Sequence, residues 1–565
     1  MKKLFIAAMA LATIVSCSKD GIDAPATPST GSEVAKLAVS LQTVKTRVDY
    51  TNGEAAESNV ASIDFYLFAD GEPYNGADGD NRVSVADVET LDWTLEADGN
   101  NITKTSNIIL VIAKEKNVVP THIVAVINAN ADYKGLDLDE LQSAVAEDLQ
   151  TELGFVMSNS VYDSETETGV VVATEIKPEN IFVDTESTDE AGDVYTGQIE
   201  VAPVQIYVER VAAKVQVSAD PKVANSNGLI SVKDENGDAM EDTFIKVLGW
   251  EITNAASTSY LLKSYDAEKP YFSDLNVPTA YRSYWATTYA QTVGHNLTFS
   301  DIADLENKGE NALVLDDYNY YHENTLTATN AEGWFNDVYT VTGAEGYAGA
   351  ATQSPQLIVA AQLVNAKGEA KAFGTWYGKT YDKVDDLKAA MINNAAKQIF
   401  VVESKSDTET VYRGITTGDV NFYQVDDQTS YYADGWNGDF RHEVRVEAAE
   451  NVKYFDAKGN SMDADDVNDI LAKTEPAMIW TSGYTYYYTL IKHYMVDNTQ
   501  LYGMVRNHVY DVNITGVTGF GTPVYDPYNH IITPEPPKEQ DGFSLAAEIK
   551  VLAWAVVENN VELGN

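Results

Sequence analysis

The single cysteine of the chain, Cys17, is the residue whose context indicates chemistry most directly. Lys2 and Lys3 form a basic start, residues 4–15 are apolar but too short to span a membrane permanently, and Ser16 is a small residue just before the cysteine. This pattern predicts a lipoprotein signal peptide over residues 1–16 and a diacylglycerol group on the Cys17 sulfur, which would act as an anchor. The alternative is a free cysteine in an ordinary secretory signal. With one cysteine, neither an internal disulfide nor a cysteine metal cluster can form.

Arg47 is the second candidate for chemistry because it follows a predicted first strand and precedes a polar, acidic loop. Exposed loops are where proteases cut, and a trypsin-like enzyme would bind Arg47 in an acidic pocket and cleave before Val48. From the residues alone, the simpler interpretation is preferred: Arg47 is one surface cation among the 38 lysines and arginines.

Motifs for catalysis or cofactor binding are missing from the sequence. The seven histidines are not spaced as metal ligands. There is also no Gly-x-Ser-x-Gly nucleophile motif and no phosphate-binding glycine motif of either the P-loop or the dinucleotide type. We therefore predict no enzyme activity, no cofactor and no metal.

Two weaker patterns remain open. Asp78, Asp80 and Asp87 are spaced like positions three, five and twelve of a calcium loop, but Gly76 occupies position one, so a solvated loop is the preferred interpretation. The tyrosines of 320–324 and 483–488 could form a sugar-binding surface, although tyrosines on a half-exposed sheet explain them more simply.

The composition limits both size and partners. A chain of 565 residues is too long for one ordinary core, which predicts at least two domains. The net charge of −48 is spread along the chain and argues against nucleic acid and anionic membrane surfaces as partners.

Two strands at opposite ends of the chain stand out. Near the start, Leu37–Val44 is predicted as a short strand with Leu37, Val39 and Leu41 on one face. At the other end, 543–557 is predicted as one long strand. Its main apolar residues fall at odd-numbered positions up to 551 and at even-numbered positions from 552, so the apolar face changes along the strand. These residues are Leu545, Ile549, Val551, Leu552, Trp554 and Val556. The preceding segment, 526–542, contains four prolines and is predicted to be a linker. Such a tail either folds back onto its own domain or reaches into another molecule.

The intervening elements are mostly strands. Asn107–Ala113 and His122–Ala129 are predicted as adjacent central strands, and Val204–Val217 as a strand pair or one long strand. Helices are predicted over Leu138–Gln150 and Asp382–Lys397. Further strands are predicted at Thr243–Thr253, Gln356–Leu363, Gln398–Glu403, Thr485–Tyr494 and His508–Thr515.

These patterns predict a mainly β protein of two consecutive β-sandwich domains with a few short helices. The predicted divisions are a signal peptide (1–16), a lipidated propeptide (17–47), an N-terminal domain (48–208) and a C-terminal domain (209–565).

Several segments together resemble the Bacteroidales fimbrillins, or type V pilins, and most closely the Mfa-type major (shaft) subunit of short fimbriae. The matching features occur in the same order over nearly the whole chain: the signal ending at Cys17, the first strand ending at Arg47, and the segments Val208–Val215, Met504–Ile514 and Ile549–Trp554. The middle of the C-terminal half, about 255 to 480, matches only in outline.

The resemblance implies transthyretin-like sandwiches and assembly by strand exchange. It implies that the precursor is anchored by lipid to the outer membrane, that an arginine-specific surface protease cuts between Arg47 and Val48, and that the first strand is then removed. The C-terminal strand of an identical subunit would fill the groove that is left, and the physics of an unpaired, apolar sheet edge agrees.

The implied product is a fimbrium on the cell surface that supports adhesion, with accessory fimbrillins and host proteins or glycans as further partners. The alternatives are an accessory (anchor or tip) fimbrillin and a glycan-binding surface lipoprotein.

Overall fold

The computed structural model describes residues 34–44, 57–264, 292–293, 297–305, 317–323, 355–425, 440–532 and 544–556, with short gaps inside several of these ranges. Strands predominate and the helices are short, so the predicted mainly β class is confirmed. The strands form two large sheets, which we call the N-terminal sheet and the C-terminal sheet, and several small ones.

The N-terminal sheet contains the first strand of the described chain, Val34–Val44, which we call the leading strand. The main path of the sheet runs from Val194–Tyr195 through Ile102–Ala113, the leading strand, Val204–Arg210, Met157–Asn159, His122–Ile127 and Ile63–Ala69 to Glu72–Pro73. Four short strands attach to this path: Arg82–Ser84, Thr94–Leu95, Thr174–Glu175 and Ile181–Phe182.

The C-terminal sheet contains the last strands of the described chain. Its main path is Thr292–Val293, Ala255–Ala256, Asp317–His322, Ala212–Ala219, His508–Thr518, Ile230–Lys233, Ala239–Thr253, Gln356–Val364, Tyr484–Leu490 and Thr522–Pro523. Ser544–Ala553, which we call the tail strand, pairs with His508–Thr518, and Ala555–Val556 pairs back onto the tail strand.

A separate unit is inserted between two neighbouring strands of the C-terminal sheet. Gln356–Val364 and Tyr484–Leu490 pair with each other, and most of the chain between them forms two small sheets. The strands are Phe373–Trp376, Lys379–Tyr381, Val420–Gln424, Arg441–Ala448 and Ala477–Trp480 in one sheet, and Phe400–Lys405, Thr410–Gly414, Tyr454–Phe455 and Ser461–Met462 in the other. Helices Val384–Ile392 and Ala464–Leu471 pack beside them over a hydrophobic cluster of their own.

The remaining described elements are short. Two further α-helices are Leu138–Ser143 and Phe299–Ile302, and 3-10 helices occupy Val88–Thr90, Pro178–Asn180, Ala395–Lys397 and Thr417–Asp419. Small strand pairs are Gln150–Thr151 with Gly154–Phe155, Tyr162–Asp163 with Val170–Val171, Val145–Ala146 with Ser259–Tyr260, and Lys492–Val496 with Thr499–Tyr502.

One prediction about strand neighbours is wrong. Both predicted strands exist, as Ile102–Ala113 and His122–Ile127, but they are not adjacent. The leading strand, Val204–Arg210 and Met157–Asn159 lie between them. A strand buried on both faces has the same apolar pattern whatever its neighbours, so the pattern does not specify which strands pair.

The two helix predictions have different outcomes. The predicted helix over Asp382–Lys397 is confirmed in its main part by Val384–Ile392 and the following 3-10 turn. The helix predicted over Leu138–Gln150 is too long, because it begins after the capping residue Asp137 and ends at Ser143. Beyond it, Val145–Ala146 pairs with Ser259–Tyr260, so pairing with a distant segment replaces the helical pattern.

The predicted strand pair over Val204–Val217 consists of two strands that belong to different sheets. Val204–Arg210 lies in the N-terminal sheet and Ala212–Ala219 in the C-terminal sheet. The change of sheet falls at Val211, three positions beyond the predicted boundary at residue 208.

The two halves of the chain meet through a buried junction. Leu261 and Leu262 are 0% and 1% exposed and pack in a cluster with Tyr66 and Leu141 of the N-terminal half. The Arg506 guanidinium donates from Nη1 to the Leu261 carbonyl oxygen at 2.9 Å and lies 2.6 Å from the Glu323 carboxylate, and both side chains of this pair are fully buried. The Arg506–Glu323 pair lies within the C-terminal half, whereas a second buried pair, Lys263 with Glu209 at 3.2 Å, joins that half to the N-terminal sheet. Apolar packing and this ion pair thus hold the two halves together.

We expect the Arg506–Glu323 pair to be essential to folding. Arg506→Met leaves the Glu323 carboxylate buried without its countercharge, which should lower the free energy of unfolding by about 3–5 kcal/mol in denaturant titration. The double variant R506M/E323L should lose much less. The matched control is Lys383→Met, because Lys383 and Glu241 form an exposed, solvent-screened pair whose loss should leave the stability nearly unchanged. An R506M protein as stable as the parent would contradict the assigned role.

Candidate strand-exchange site

The leading strand fills a slot between two strands that come from distant parts of the chain. Along one edge it pairs antiparallel with Ile102–Ala113 over its whole length. Along the other edge, positions 39–43 pair in parallel with Val204–Val208, and positions 36–37 pair with Ile181–Phe182. The prediction that this strand pairs within the N-terminal part of the unprocessed chain is confirmed.

The middle of the leading strand is buried on both faces. Val39 and Ala38 are 0% exposed, and Lys36 and Ser40 are also buried. Val39 lies opposite Ile108 on one neighbour and Val204 on the other, and all three belong to the same hydrophobic cluster. Val39 is therefore part of the core of the N-terminal sheet.

Taking the leading strand away would damage this sheet at its centre. Ile102–Ala113 and Val204–Arg210 would each lose a complete hydrogen-bonded edge, and the apolar residues around Val39 would face water. Neighbouring strands in a sheet lie about 4.8 Å apart. Removing the leading strand would therefore leave its two neighbours about 9.6 Å apart, which is the space that one strand fills. Unpaired edges of this kind accept a strand from another chain.

The tail strand lies on the C-terminal sheet of its own chain. Its ten residues pair antiparallel with His508–Thr518, with a register shift between Ile514 and Gly516. The prediction of one unbroken strand over 543–557 is wrong at its end, because Ala555–Val556 turns back and pairs with Leu552 and Ala553 of the tail strand. Of the two possibilities left open by the sequence, the single chain has the folded-back one.

Consecutive strands connect the slot to the place where the tail strand rests. Val204–Arg210 forms one wall of the slot, and after Val211 the chain continues as Ala212–Ala219. Ala212–Ala219 pairs in parallel with His508–Thr518, the strand on which the tail strand lies. One continuous stretch of backbone therefore runs from a wall of the slot into the sheet that carries the tail strand.

Glu57 is the first described residue after the predicted cleavage point, and its side chain and backbone are held by several partners. Its carboxylate Oε1 lies 2.8 Å from Lys214 Nζ and accepts a hydrogen bond from the Tyr320 hydroxyl at 2.6 Å. Its carbonyl oxygen accepts from Arg210 Nε at 2.7 Å. Burial lowers the pKa of Arg210 to about 10, and the Glu57 charge opposes that fall, so the arginine remains a cation. Glu57, ten positions beyond Arg47, is thus bound at the junction.

Two neutral histidines lie at the start of the strand that holds the tail: His508 is its first residue, and the His493 ring packs against that of His508. Burial lowers the pKa of His508 to about 3, with a further contribution from the Lys263 charge, and burial also lowers the pKa of His493. His493 Nδ1 lies 2.9 Å from the Tyr510 hydroxyl, which also accepts from the Val505 backbone N–H at 2.7 Å. At neutral pH this layer is therefore uncharged and hydrogen-bonded.

The predicted site residues differ in how far the structure describes them. Cys17, Arg47, Val48 and Trp554 lie outside the described residues. Leu37 and Leu41 occupy the leading strand opposite Leu110 and Ser106, and the remaining tail residues occupy strand positions; these are Leu545, Ile549, Val551, Leu552 and Val556.

The two open patterns receive simple structural explanations where they are described. Tyr321, Tyr486 and Tyr487 are buried, and the Tyr321 and Tyr487 hydroxyls are bound to Glu251 and to the Gly519 carbonyl oxygen. Asp78 of the calcium pattern is outside the described residues, while Asp80 accepts a hydrogen bond from the backbone of Arg82. No group of His, Cys, Asp or Glu within the described ranges is arranged to hold a metal ion. In those same ranges, no helix is long and apolar enough to cross a membrane.

Sequence reasoning missed the charged residues of the junction: Glu57, Arg210, Lys214, Lys263, Glu323 and Arg506. A partial signal was available, since Arg210 and Lys214 interrupt the apolar pattern of two predicted strands. Charges at buried strand positions require partners. Their partners are 153 and 157 positions away in the chain, and local patterns do not reveal such pairs.

Comparison with known protein families finds a match, which lies in the C-terminal part of the chain. Residues 478–560 match the family described as "Major fimbrial subunit protein type IV, Fimbrillin, C-terminal". This range includes both the tail strand and its partner, His508–Thr518. No curated protein sequence matches the chain.

Solved structures of fimbrial proteins are similar over most of the chain. A fimbrilin from Porphyromonas gingivalis aligns at 13% identity over 93% of this chain and 98% of its own, with a TM-score of 0.35. A tip fimbrial protein from the same organism, with a C-terminal truncation, aligns at 10% identity over 91% and 99%, with a TM-score of 0.27. A fimbrial assembly protein from Parabacteroides distasonis aligns at 9% identity over 74% and 98%, also at 0.27. At these scores the superpositions are loose, so the assignment rests on the family match, which confirms the resemblance to the fimbrillins over residues 478–560.

Proposed function

We propose that this chain is a structural subunit of surface fimbriae that polymerises by protease-triggered strand exchange and supports adhesion. The observation that carries the proposal is the position of the leading strand, which is paired on both edges in the centre of a sheet and yet connected onward only through the segment that contains Arg47 and Val48. The fimbrillin match over 478–560 supports the assignment to fimbriae.

The proposed sequence of events begins at the membrane. The signal peptide 1–16 is removed, Cys17 is lipidated, and the precursor is held at the outer membrane by the propeptide 17–47. An arginine-specific surface protease then cuts between Arg47 and Val48. The N-terminal domain, 48–208, keeps its place because Glu57 is bound to Arg210 and Lys214.

Cleavage changes the thermodynamics of the slot, although it breaks no contact inside it. Before the cut, the leading strand is tethered and its effective concentration is on the order of millimolar or higher. After the cut it belongs to a separate peptide, 17–47, which stays anchored through Cys17. Its rebinding is then bimolecular, and it is lost once the subunit moves away from the anchored peptide. The tail strand of a neighbouring subunit can then restore the lost ladder, with each backbone hydrogen bond contributing about 1 kcal/mol net.

Removal of the arginine should block assembly. We expect Arg47→Ala precursor to stay intact and monomeric after digestion with an arginine-specific protease, while the parent protein forms polymers visible on native gels and by electron microscopy. Lys45→Ala is the matched control, because it removes a neighbouring cation that such a protease does not recognise. A cut parent protein that stays monomeric, and behaves like a variant lacking 543–565, would show the polymerisation proposal to be wrong.

The resting position of the tail strand suggests a reversible block. Glu548 lies opposite Asn513 in an antiparallel pair, where Cα atoms are about 4.5–5.5 Å apart and suit a disulfide. The E548C/N513C variant, oxidised before digestion, should be cut normally but remain monomeric, and reduction should restore assembly. The single variants E548C and N513C serve as controls. Polymerisation of the oxidised double variant at the parent rate would show that the tail strand need not leave its own sheet.

The leading strand should matter to the precursor alone. Val39→Asp places a carboxylate at a position with 0% exposure, so the precursor should lose several kcal/mol of unfolding free energy, about 3 or more, in denaturant titration. Polymers from precursor that does fold should be as stable as parent polymers, because residue 39 has been removed. Val39→Leu is the apolar control. Polymers weakened by V39D would mean that the leading strand is retained.

A further inference from the structure

We infer that Leu545–Leu552 of one subunit replaces Leu37–Val44 of its neighbour residue for residue and in the same chain direction. This inference rests on the proposed strand exchange and specifies its register. The two segments read Leu-Ala-Val-Ser-Leu-Gln-Thr-Val and Leu-Ala-Ala-Glu-Ile-Lys-Val-Leu. Apolar residues coincide at the first three positions and at the fifth and eighth, and polar residues coincide at the fourth and sixth.

The core-facing positions agree with the buried walls of the slot. Positions 37, 39, 41 and 43 of the leading strand alternate on the side of Val39. Their described neighbours in the walls are buried: Leu110, Ile108, Ile206 and Val208. In the proposed register these positions receive Leu545, Ala547, Ile549 and Val551, which are all apolar.

On the other face of the leading strand, positions 40 and 42 lie beside the polar part of the walls. Position 40 lies opposite Asn107 and Gln205, and both of these side chains are exposed. Position 42 lies opposite Thr105 and Tyr207, which are half-buried. Glu548 and Lys550 would occupy positions 40 and 42. Ser40 is itself buried, so the Glu548 carboxylate would extend beyond the Ser40 position, between the exposed side chains of Asn107 and Gln205, to reach water.

Position 38 sets the size limit. Ala38 is 0% exposed and lies opposite Ile109, which is 2% exposed, so there is little room for a larger or charged side chain. The proposed register places Ala546 there, and the volume is unchanged. The register therefore satisfies the position of the slot that is most restrictive.

Other registers violate this limit or leave more of the apolar tail outside the slot. Shifting the tail by two residues in one direction places Glu548 at position 38, where its charge would be buried. The opposite shift leaves Val551 and Leu552 outside the slot as well as the residues after them. Reversing the tail, with Val551 at position 39, places Leu552 at position 38 and overpacks it.

The tail strand would turn the same face towards the protein core in both of its locations. On its own sheet, Leu545, Ile549 and Val551 lie opposite Val517, Val512 and Tyr510, which are all fully buried. Exchange would therefore move an apolar face from one core to another without rotating the strand.

Four double-cysteine variants test the register, and Cys17 does not interfere because it leaves with the propeptide. The variants are E548C/N107C, K550C/T105C, K550C/N107C and E548C/T105C, each cut, polymerised and oxidised, and then run on non-reducing denaturing gels. We expect ladders of covalently linked subunits from the first two, because positions 548 and 550 would lie directly opposite 107 and 105. The last two pairs would be diagonal and should crosslink at least tenfold less.

Each outcome of the crosslinking experiment either supports or overturns the proposed register. Ladders from K550C/N107C or E548C/T105C, with little from the first two, would indicate a reversed or shifted tail and overturn the register while leaving strand exchange intact. Polymers that form but crosslink through none of the four pairs would also overturn it. Failure of every variant and of the parent to polymerise would overturn both the register and the proposed function.

Discussion

The backbone ladder between the leading strand and its two neighbours is the constraint on which the rest of this structure depends. Ile102–Ala113 and Val204–Arg210 do not touch along the slot; the leading strand joins them. Because Val39 and Ala38 are fully buried at its centre, the N-terminal core is complete only when a strand occupies this position. The occupant can in principle be any strand with the right alternation, since the ladder itself involves backbone groups alone.

The second requirement is that the slot and the donor segment stay in a fixed relationship within each subunit. The continuous stretch 204–219 joins a wall of the slot to the sheet that carries the tail strand, and the buried pairs Arg506–Glu323 and Lys263–Glu209 fix the junction beside it. A fibre made by strand exchange carries load from the slot of one subunit to the tail of the next. In this chain that path would run through the strands of the two sheets and the buried junction, and then through the segment that links His508–Thr518 to the tail strand.

Much of this arrangement could be predicted from residue order, and the failures have a common cause. Local patterns of apolar residues identified the leading strand, the tail strand and the inserted helix at Val384–Ile392, because each of these elements depends on nearby residues. Pairing partners were not accessible in this way: Ile102–Ala113 and His122–Ile127 are close in sequence but separated by three strands. The helix ending at Ser143 was overestimated for the same reason, since Ser259–Tyr260 captures the residues after it. Long-range contacts also explain why Glu57 and Arg506 were missed.

Hydrogen–deuterium exchange at the walls of the slot tests the central claim most directly. The amides of 102–113 and 204–210 should be protected in the precursor, exchange at least tenfold faster in cut subunits that lack 543–565, and regain protection when a peptide spanning 543–557 is added. Walls that stay protected after cleavage, or that remain open in the presence of the peptide, would contradict an exchange of the leading strand for the tail.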